Sequence, residues 1–316
     1  MTENCIIFGG NGFIGSHLAE HLVERGYAVT VFDRFLSGMG NLAGMTDKIE
    51  VISGDFLNKD DVSNALEGMD ILFHYISTTN PATSVQDPIY DIESNIIGSV
   101  HLLQAAVKAD VRRVIFPSSG GTIYGKTTGE PIRESSLLNP VNPYSISKLA
   151  IERYLHYFQQ SSGLEYLILR YSNPYGERQS PYAKQGVIPI FLNKIKNNEQ
   201  PVIYGDGSST RDYIYIKDAI DATIAVLESE TRERVFNIGS GQETSLNRLI
   251  DIMSEVTGKE CTPEYKNDNG IYLSKFVLDI SRITRETGWV PTTSLYDGLS
   301  KTWEWINSLD SQKNRM

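Results

Sequence analysis

Cysteine is almost missing from this chain: Cys5 and Cys261 are the only two, far apart in sequence. They cannot build a disulfide scaffold, and they fit no metal-ligand spacing, so no metal site is expected. Long apolar runs are missing too. No stretch approaches the roughly 18 apolar residues that cross a bilayer, and Cys5-Ile6-Ile7-Phe8 is too short for a signal-peptide core. The expectation is a protein neither exported nor embedded in a membrane, with a reducing cytoplasm as its home. Basic residues are in deficit, 29 Lys and Arg against 39 Asp and Glu, a formal net charge of -10. Nucleic-acid binding relies on clustered Lys and Arg, and no such run occurs, so no nucleic-acid partner is expected. A small anion is not excluded, because one Arg and a few backbone N–H groups can hold a diphosphate.

What is present is enough for a sizeable core: 316 residues, of which 40% are hydrophobic and 22% charged, with no low-complexity tract. The first half alternates short apolar runs with helical-period segments. Strands are expected at 5–8, 28–32, 49–52, 70–75 and 113–117, and helices around 12–25, 60–67 and 93–108. Parallel strands need crossovers and bury both faces, so this rhythm predicts an α/β fold, a Rossmann-type doubly wound parallel sheet. A long helix is expected after Asn142-Pro143, with Asn as N-cap and Pro at the first helical position, running to about residue 160. A strand at 166–170 follows. Beyond it the pattern is irregular, with a turn at 205–209, an alternating run at 213–216 and helical segments near 245–256 and 281–287. No clean linker appears, so the smaller C-terminal substrate lobe is expected to be interleaved: 1–171 for the dinucleotide domain, with 211–244 returning to it, and 172–210 plus 245–316 for the lobe.

Gly9, Gly12 and Gly15 fall between the first strand and the first helix, in the run Gly9-Gly10-Asn11-Gly12-Phe13-Ile14-Gly15. Glycines there let the backbone approach a pyrophosphate, and the helix N-terminus supplies N–H donors. Asp33 lies just past the second strand, where a carboxylate accepts hydrogen bonds from the adenosine ribose diol and repels a 2′-phosphate. NAD is therefore the expected cofactor, with Arg34 next door keeping NADP as the alternative.

Tyr144 and Lys148 lie four residues apart at the start of the long helix, on one face. A nearby ammonium favours phenolate, bringing the phenol toward neutrality for proton exchange with a hydroxyl. Tyr213 and Lys217 share the spacing, but their alternating run reads as a strand, which points side chains to opposite faces.

Together these features resemble the extended short-chain dehydrogenase/reductases of the NAD-dependent epimerase/dehydratase family, within it the UDP-glucose 4-epimerase group. The features are the glycine turn, Asp33, Gly54-Asp55, His74, Asn95, the run Ser118 to Gly125 and the Tyr144/Lys148 pair. The likeness continues through Arg170 to Gly176, Val187-Ile188-Pro189, Tyr204 to Gly207 and Thr210 to Tyr215. The resemblance implies that Asp55 and Phe56 meet the adenine, and that Phe13, Ile14, Ser77, Asn95 and Ser118 line the cofactor. It likewise implies that Asn173 and Arg211 hold the diphosphate of a nucleotide-sugar, with Val187 beside the sugar pocket, and that the chain forms a homodimer through helices near 93–108 and 144–160.

Dehydratases of this family carry an Asp-Glu pair where this chain has Gly121 and Thr122. Neither can move protons as a carboxyl does, so the expected reaction is oxidation and re-reduction at one carbon, C4. The rivals are an NAD(P)H-dependent 4-ketoreductase and a non-catalytic dinucleotide sensor. Two departures stand out. The bridging Ser or Thr that the family places four residues before the Tyr-Gly pair is here Gly120, so Ser119 or Thr122 must supply the hydroxyl, with Thr122 slightly favoured. An Arg that many relatives carry near 266–272 is missing, which implies a looser grip on the nucleotide, or a nucleotide other than UDP.

Overall fold

The computed structural model describes residues 2–36, 38–125, 131–183, 185–267 and 275–313. Its first half runs β1 (Asn4–Phe8), α1 (Phe13–Glu24), β2 (Ala28–Asp33), β3 (Glu50–Ser53), α2 (Lys59–Ala65), β4 (Ile71–His74), α3 (Pro81–Gln86), α4 (Pro88–Asp91), α5 (Gly98–Lys108) and β5 (Arg113–Ser119). Then come α6 (Gly120–Ile123), α7 (Pro143–Ser162), β6 (Glu165–Tyr171), β7 (Asn173–Tyr175), α8 (Val187–Lys196), β8 (Val202–Tyr204), β9 (Thr210–Tyr215) and α9 (Ile216–Glu228). The chain closes with β10 (Val235–Ile238), β11 (Glu243–Ser245), α10 (Leu246–Thr257), β12 (Glu264–Lys266), α11 (Ser281–Thr287) and α12 (Leu295–Lys313).

Seven strands form one sheet in the order β10-β6-β5-β4-β1-β2-β3, with β1 parallel to both β2 and β4. The order reverses between β1 and β4, the switch point at which such sheets bind ligands beyond their carboxyl ends. Phe8 registers with Phe32 on one side and His74 on the other, so the turn after Phe8 emerges at that point. One face buries Ile6, Phe8, Phe32, Leu72 and Phe116 against Leu102 and Leu103 of α5 and Ile151 and Leu155 of α7. The Rossmann-type doubly wound reading of the sequence holds.

Local chemistry sets the boundaries of α7. Asn142 caps it, its Oδ1 accepting from the Ser145 N–H at 2.9 Å while Ser145 Oγ accepts from the Asn142 N–H at 3.2 Å. Pro143 takes the first position, and Gly163 ends the helix in the left-handed region at φ +77°. The helix expected at 93–108 is present within a longer helical run: a π turn over Ile92–Ile97 joins α4 to α5 and buries Ser94 and Asn95. The less regular second half hides its helices for local reasons. Pro189 sits inside the first turn of α8, and α9 follows β9 with no intervening residue.

The chain divides into two compact units: Met1–Ile123, Pro140–Arg170 and Val226–Phe236 in the first, Tyr124–Asn139, Tyr171–Ala225 and Asn237–Met316 in the second. The first holds most of the large sheet. Within the second, β9 lies between β11 and β7, and β8 pairs with β12.

Inside the first unit, Arg170 of β6 pairs with Glu152 of α7 at 2.7 Å, and both side chains are at most 5% exposed. Removing one partner of such a pair leaves a buried charge without its complement. Glu152→Gln is expected to lower the unfolding free energy by about 3 kcal/mol, read by urea denaturation.

Candidate active site

The first unit places the expected cofactor residues around the end of β1. Gly9 takes φ +85°, and a Cβ there would lie 2.8 Å from the Ile76 amide nitrogen. A Cβ on Gly15 would lie 2.4 Å from the Gly9 carbonyl oxygen. These glycines thus draw the start of α1 tightly onto the turn. No side chain caps α1 at Gly12, so the amides of its first turn, which includes Phe13 and Ile14, are left for a ligand. Asp33 stands beside them: its carboxylate accepts from the Asn11 N–H at 3.1 Å and the Arg34 N–H at 2.8 Å. Each oxygen keeps a second lone pair, which suits a ribose diol. Arg34 itself is exposed.

Further along, Asp55 folds back to accept from the Leu57 N–H at 2.9 Å. The expectation for Phe56 needs correcting. Its ring is buried against Phe8 and His74, so the side chain serves the core and only its backbone is left for a cofactor. Asn95 and Ser77 line one recess with Tyr144 and Lys148. The Asn95 amide is already committed within the protein, accepting from the Thr78 N–H and donating to Thr79 and Asp91. Ser118 Oγ is buried with no hydrogen-bond partner, an orphaned polar atom of the kind a bound cofactor satisfies. The glycine turn, uncapped helix, acidic strand end and orphaned hydroxyl together fit a dinucleotide.

The chemistry centres on α7. Its start is held by Ser84 of α3, whose Oγ accepts from the Tyr144 N–H at 3.1 Å. Lys148 Nζ lies 5.7 Å from the centre of the Tyr144 ring and donates to the Pro117 carbonyl at 2.9 Å. Burial draws this amine down to about 8, against the raising fields of Asp91 and Glu152. The sequence-based expectation that the lysine brings the phenol toward neutrality does not hold in the protein alone. Burial instead pushes Tyr144 up to about 12, opposed by a hydrogen bond from Ser119.

Ser119 is thus the hydroxyl that lowers the phenol, and Thr122 Oγ1 donates to Ser119 Oγ at 2.8 Å. The reason lies in the backbone. Ser119 closes β5, while Thr122 sits three residues on, inside α6. Gly121 precedes it, so no carboxyl stands at either of these two positions.

The second unit carries the other expected residues. Asn173 opens β7 and donates through Nδ2 to the Asp212 carbonyl at 3.0 Å. Arg211 precedes Asp212 on β9, and Val187 opens α8, half-buried. Sequence reasoning missed Asp212 as an anchor. Its buried carboxylate accepts from the N–H groups of Ser240, Gly241 and Leu278, and from the Ser240 hydroxyl. Only the fold brings those loops together. Tyr213 is buried in β9 while Lys217 is exposed on α9, so the second Tyr/Lys spacing forms no pair. Of the segment expected to lack a clamping Arg, residues 268–272 lie outside the described residues.

A dinucleotide turn and a helix-borne Tyr/Lys pair on a doubly wound sheet define a nicotinamide-dependent enzyme of the extended short-chain type. The chain belongs to the NAD dependent epimerase/dehydratase family, whose model matches residues 5–239. It is 33% identical over 307 residues to a UDP-glucose 4-epimerase of Mycolicibacterium smegmatis, covering 96% of this chain and 98% of that one. It is 35% identical over 307 residues to a dTDP-4-dehydro-6-deoxyglucose reductase of Escherichia coli, covering 94% and 95%. The crystal structure of a Thermotoga maritima UDP-glucose 4-epimerase with UDP-glucose matches at TM-score 0.91 and 36% identity, covering 97% and 99%.

The hydroxyl order Thr122 to Ser119 to Tyr144 generates a graded expectation. Ser119→Ala removes the hydroxyl that lowers the phenol and is expected to lower kcat by about 100-fold. Thr122→Val leaves Ser119 in place and costs clearly less. Steady-state kinetics of the two variants checks the order.

Proposed function

We propose that this chain is an NAD-dependent nucleotide-sugar 4-epimerase that works through a transient 4-keto sugar. The observation that carries the reading is a phenol and an ammonium lining one recess, with the Ser119 hydroxyl lowering the phenol and Gly121 and Thr122 where elimination of water needs an acid and a base. When bound, NAD supplies a hydride acceptor and a positive charge beside the phenol. Tyr144 takes the proton from the sugar 4-hydroxyl and returns it after the keto group has turned its other face. Ser119 stabilises the phenolate by donating to it, and Thr122 orients Ser119. Lys148 contributes the second cation at the phenol and binds the nicotinamide ribose. Asn173 and Arg211 hold the diphosphate, about which the keto sugar rotates, and Val187 helps shape the sugar pocket. Asp33 selects NAD over NADP.

The similarity to a 4-keto sugar reductase supports a second reading, in which the same Tyr144/Lys148 pair uses exchangeable NAD(P)H. Retention of the cofactor separates the two. Purified protein given UDP-glucose, UDP-galactose and their N-acetyl and uronate forms is expected to yield a C4 epimer by NMR without added cofactor. NAD(H) is expected to stay with the protein through gel filtration. Formation of no C4 epimer from any of these sugars overturns the reading.

The chain works in the cytoplasm as a homodimer. No helix among the described residues is long and apolar enough to cross a membrane. Ile92 and Ile97 of the π turn and Tyr154 and Tyr157 of α7 are exposed apolar side chains on the segments expected to pair. Light scattering is expected to give the mass of two chains, and the mass of one contradicts the assembly.

A further inference from the structure

Asp91 ends α4 at the edge of the recess and has no exposed surface. Its carboxylate accepts hydrogen bonds from the hydroxyls of Thr79 and Ser147 and, at 3.1 Å, from Asn95 Nδ2. All three donors are neutral, and no Lys, Arg or His pairs with Asp91 among the described residues. A carboxylate buried on neutral donors retains a large desolvation cost, which a cation in the same low-dielectric region offsets.

The cation on which the field of Asp91 acts is Lys148, the residue after the Ser147 that donates to Asp91. The groups facing its ammonium are few. From β5 come the Pro117 carbonyl and the Phe116 ring, whose centre is 4.6 Å away. From β4 comes His74, which burial draws down to about 3 and so keeps neutral. Its own helix contributes Tyr144 and Glu152, and Glu152 is already paired with Arg170 of β6. Neutral Ser77 and Asn95 complete the recess. Of the two carboxylates that act on Lys148, Asp91 is the one whose charge no guanidinium shares.

We propose that Asp91 is a positioning residue, the buried counter-charge that keeps the Lys148 ammonium protonated while its hydrogen bonds register α7 against the segments bearing Ser77 and Asn95. The field of Asp91 opposes the downward pull of burial on Lys148 and also raises Tyr144. With the carboxylate removed, both groups release their protons at lower pH. The proposal rests on the reading of Lys148 as the catalytic cation, but the charge of Lys148 is measurable without any substrate.

The experiment is an NMR titration of the intact protein labelled at lysine 13Cε, with the Lys148 signal assigned by its loss in Lys148→Arg. In Asp91→Asn the Lys148 midpoint is expected to fall by about one pH unit or more. In Ser147→Ala, which loses one hydrogen bond but keeps the charge, it moves far less, and Asp91→Glu brings it back toward the unmodified value. An unchanged midpoint in Asp91→Asn, or an equal fall in Ser147→Ala, overturns the proposal. So does an Asp91 carboxyl found protonated at pH 7 by 13Cγ NMR of the unmodified protein, a reading that needs no variant to fold. Absence of epimerase activity with a normal Lys148 response contradicts the proposed reaction and leaves this inference standing.

Discussion

An ammonium buried beside a phenol is the constraint on which the rest of this structure depends. Lys148 sits against the sheet with one backbone carbonyl and an aromatic face as its immediate company. Taking such a charge out of water is costly, and the cost appears as an amine drawn down to about 8. The surroundings offset it through geometry rather than solvent. A capping box fixes where α7 begins, Ser84 ties down Tyr144, and the Arg170–Glu152 pair holds the middle of the helix to β6. Each of these contacts maintains the separation between the phenol and the ammonium.

The same burial acts on the phenol. A phenol pushed up to about 12 keeps its proton at neutral pH, and the single hydrogen bond from Ser119 does not reverse that. Lys148 alone does not make the phenolate either, because its amine is turned to Pro117. Bound NAD would add a positive charge to the surroundings of Tyr144. Proton abstraction by Tyr144 would then be tied to the presence of the hydride acceptor, as reversible redox at one carbon requires.

The sequence made the frame of the first unit legible. Gly9, Gly12 and Gly15, Asp33, the Asn142-Pro143 cap and the Tyr144/Lys148 spacing each have a local physical cause, and local causes can be read from a string of residues. What it concealed was set by tertiary packing. Phe56 looked like a cofactor contact until its ring was seen in the core. Ser119 and Thr122 could not be ranked without knowing where β5 ends and α6 begins. Asp91 carries no motif, and its three donors come from Thr79, Asn95 and Ser147, on separate segments. In the second unit, Asp212 gathers loops whose proximity no periodicity reveals.

The absence of a carboxyl pair at Gly121 and Thr122 confines the proposed chemistry to one carbon, and a single isotope measurement tests that confinement most directly. A nucleotide-sugar deuterated at C4 is converted in ordinary water, and the product is read by NMR and mass spectrometry. The account predicts that the deuterium leaves C4 and returns to C4 of the epimer, with no solvent hydrogen gained at carbon. Loss of the deuterium into free reduced cofactor, or solvent hydrogen appearing at C5, contradicts it.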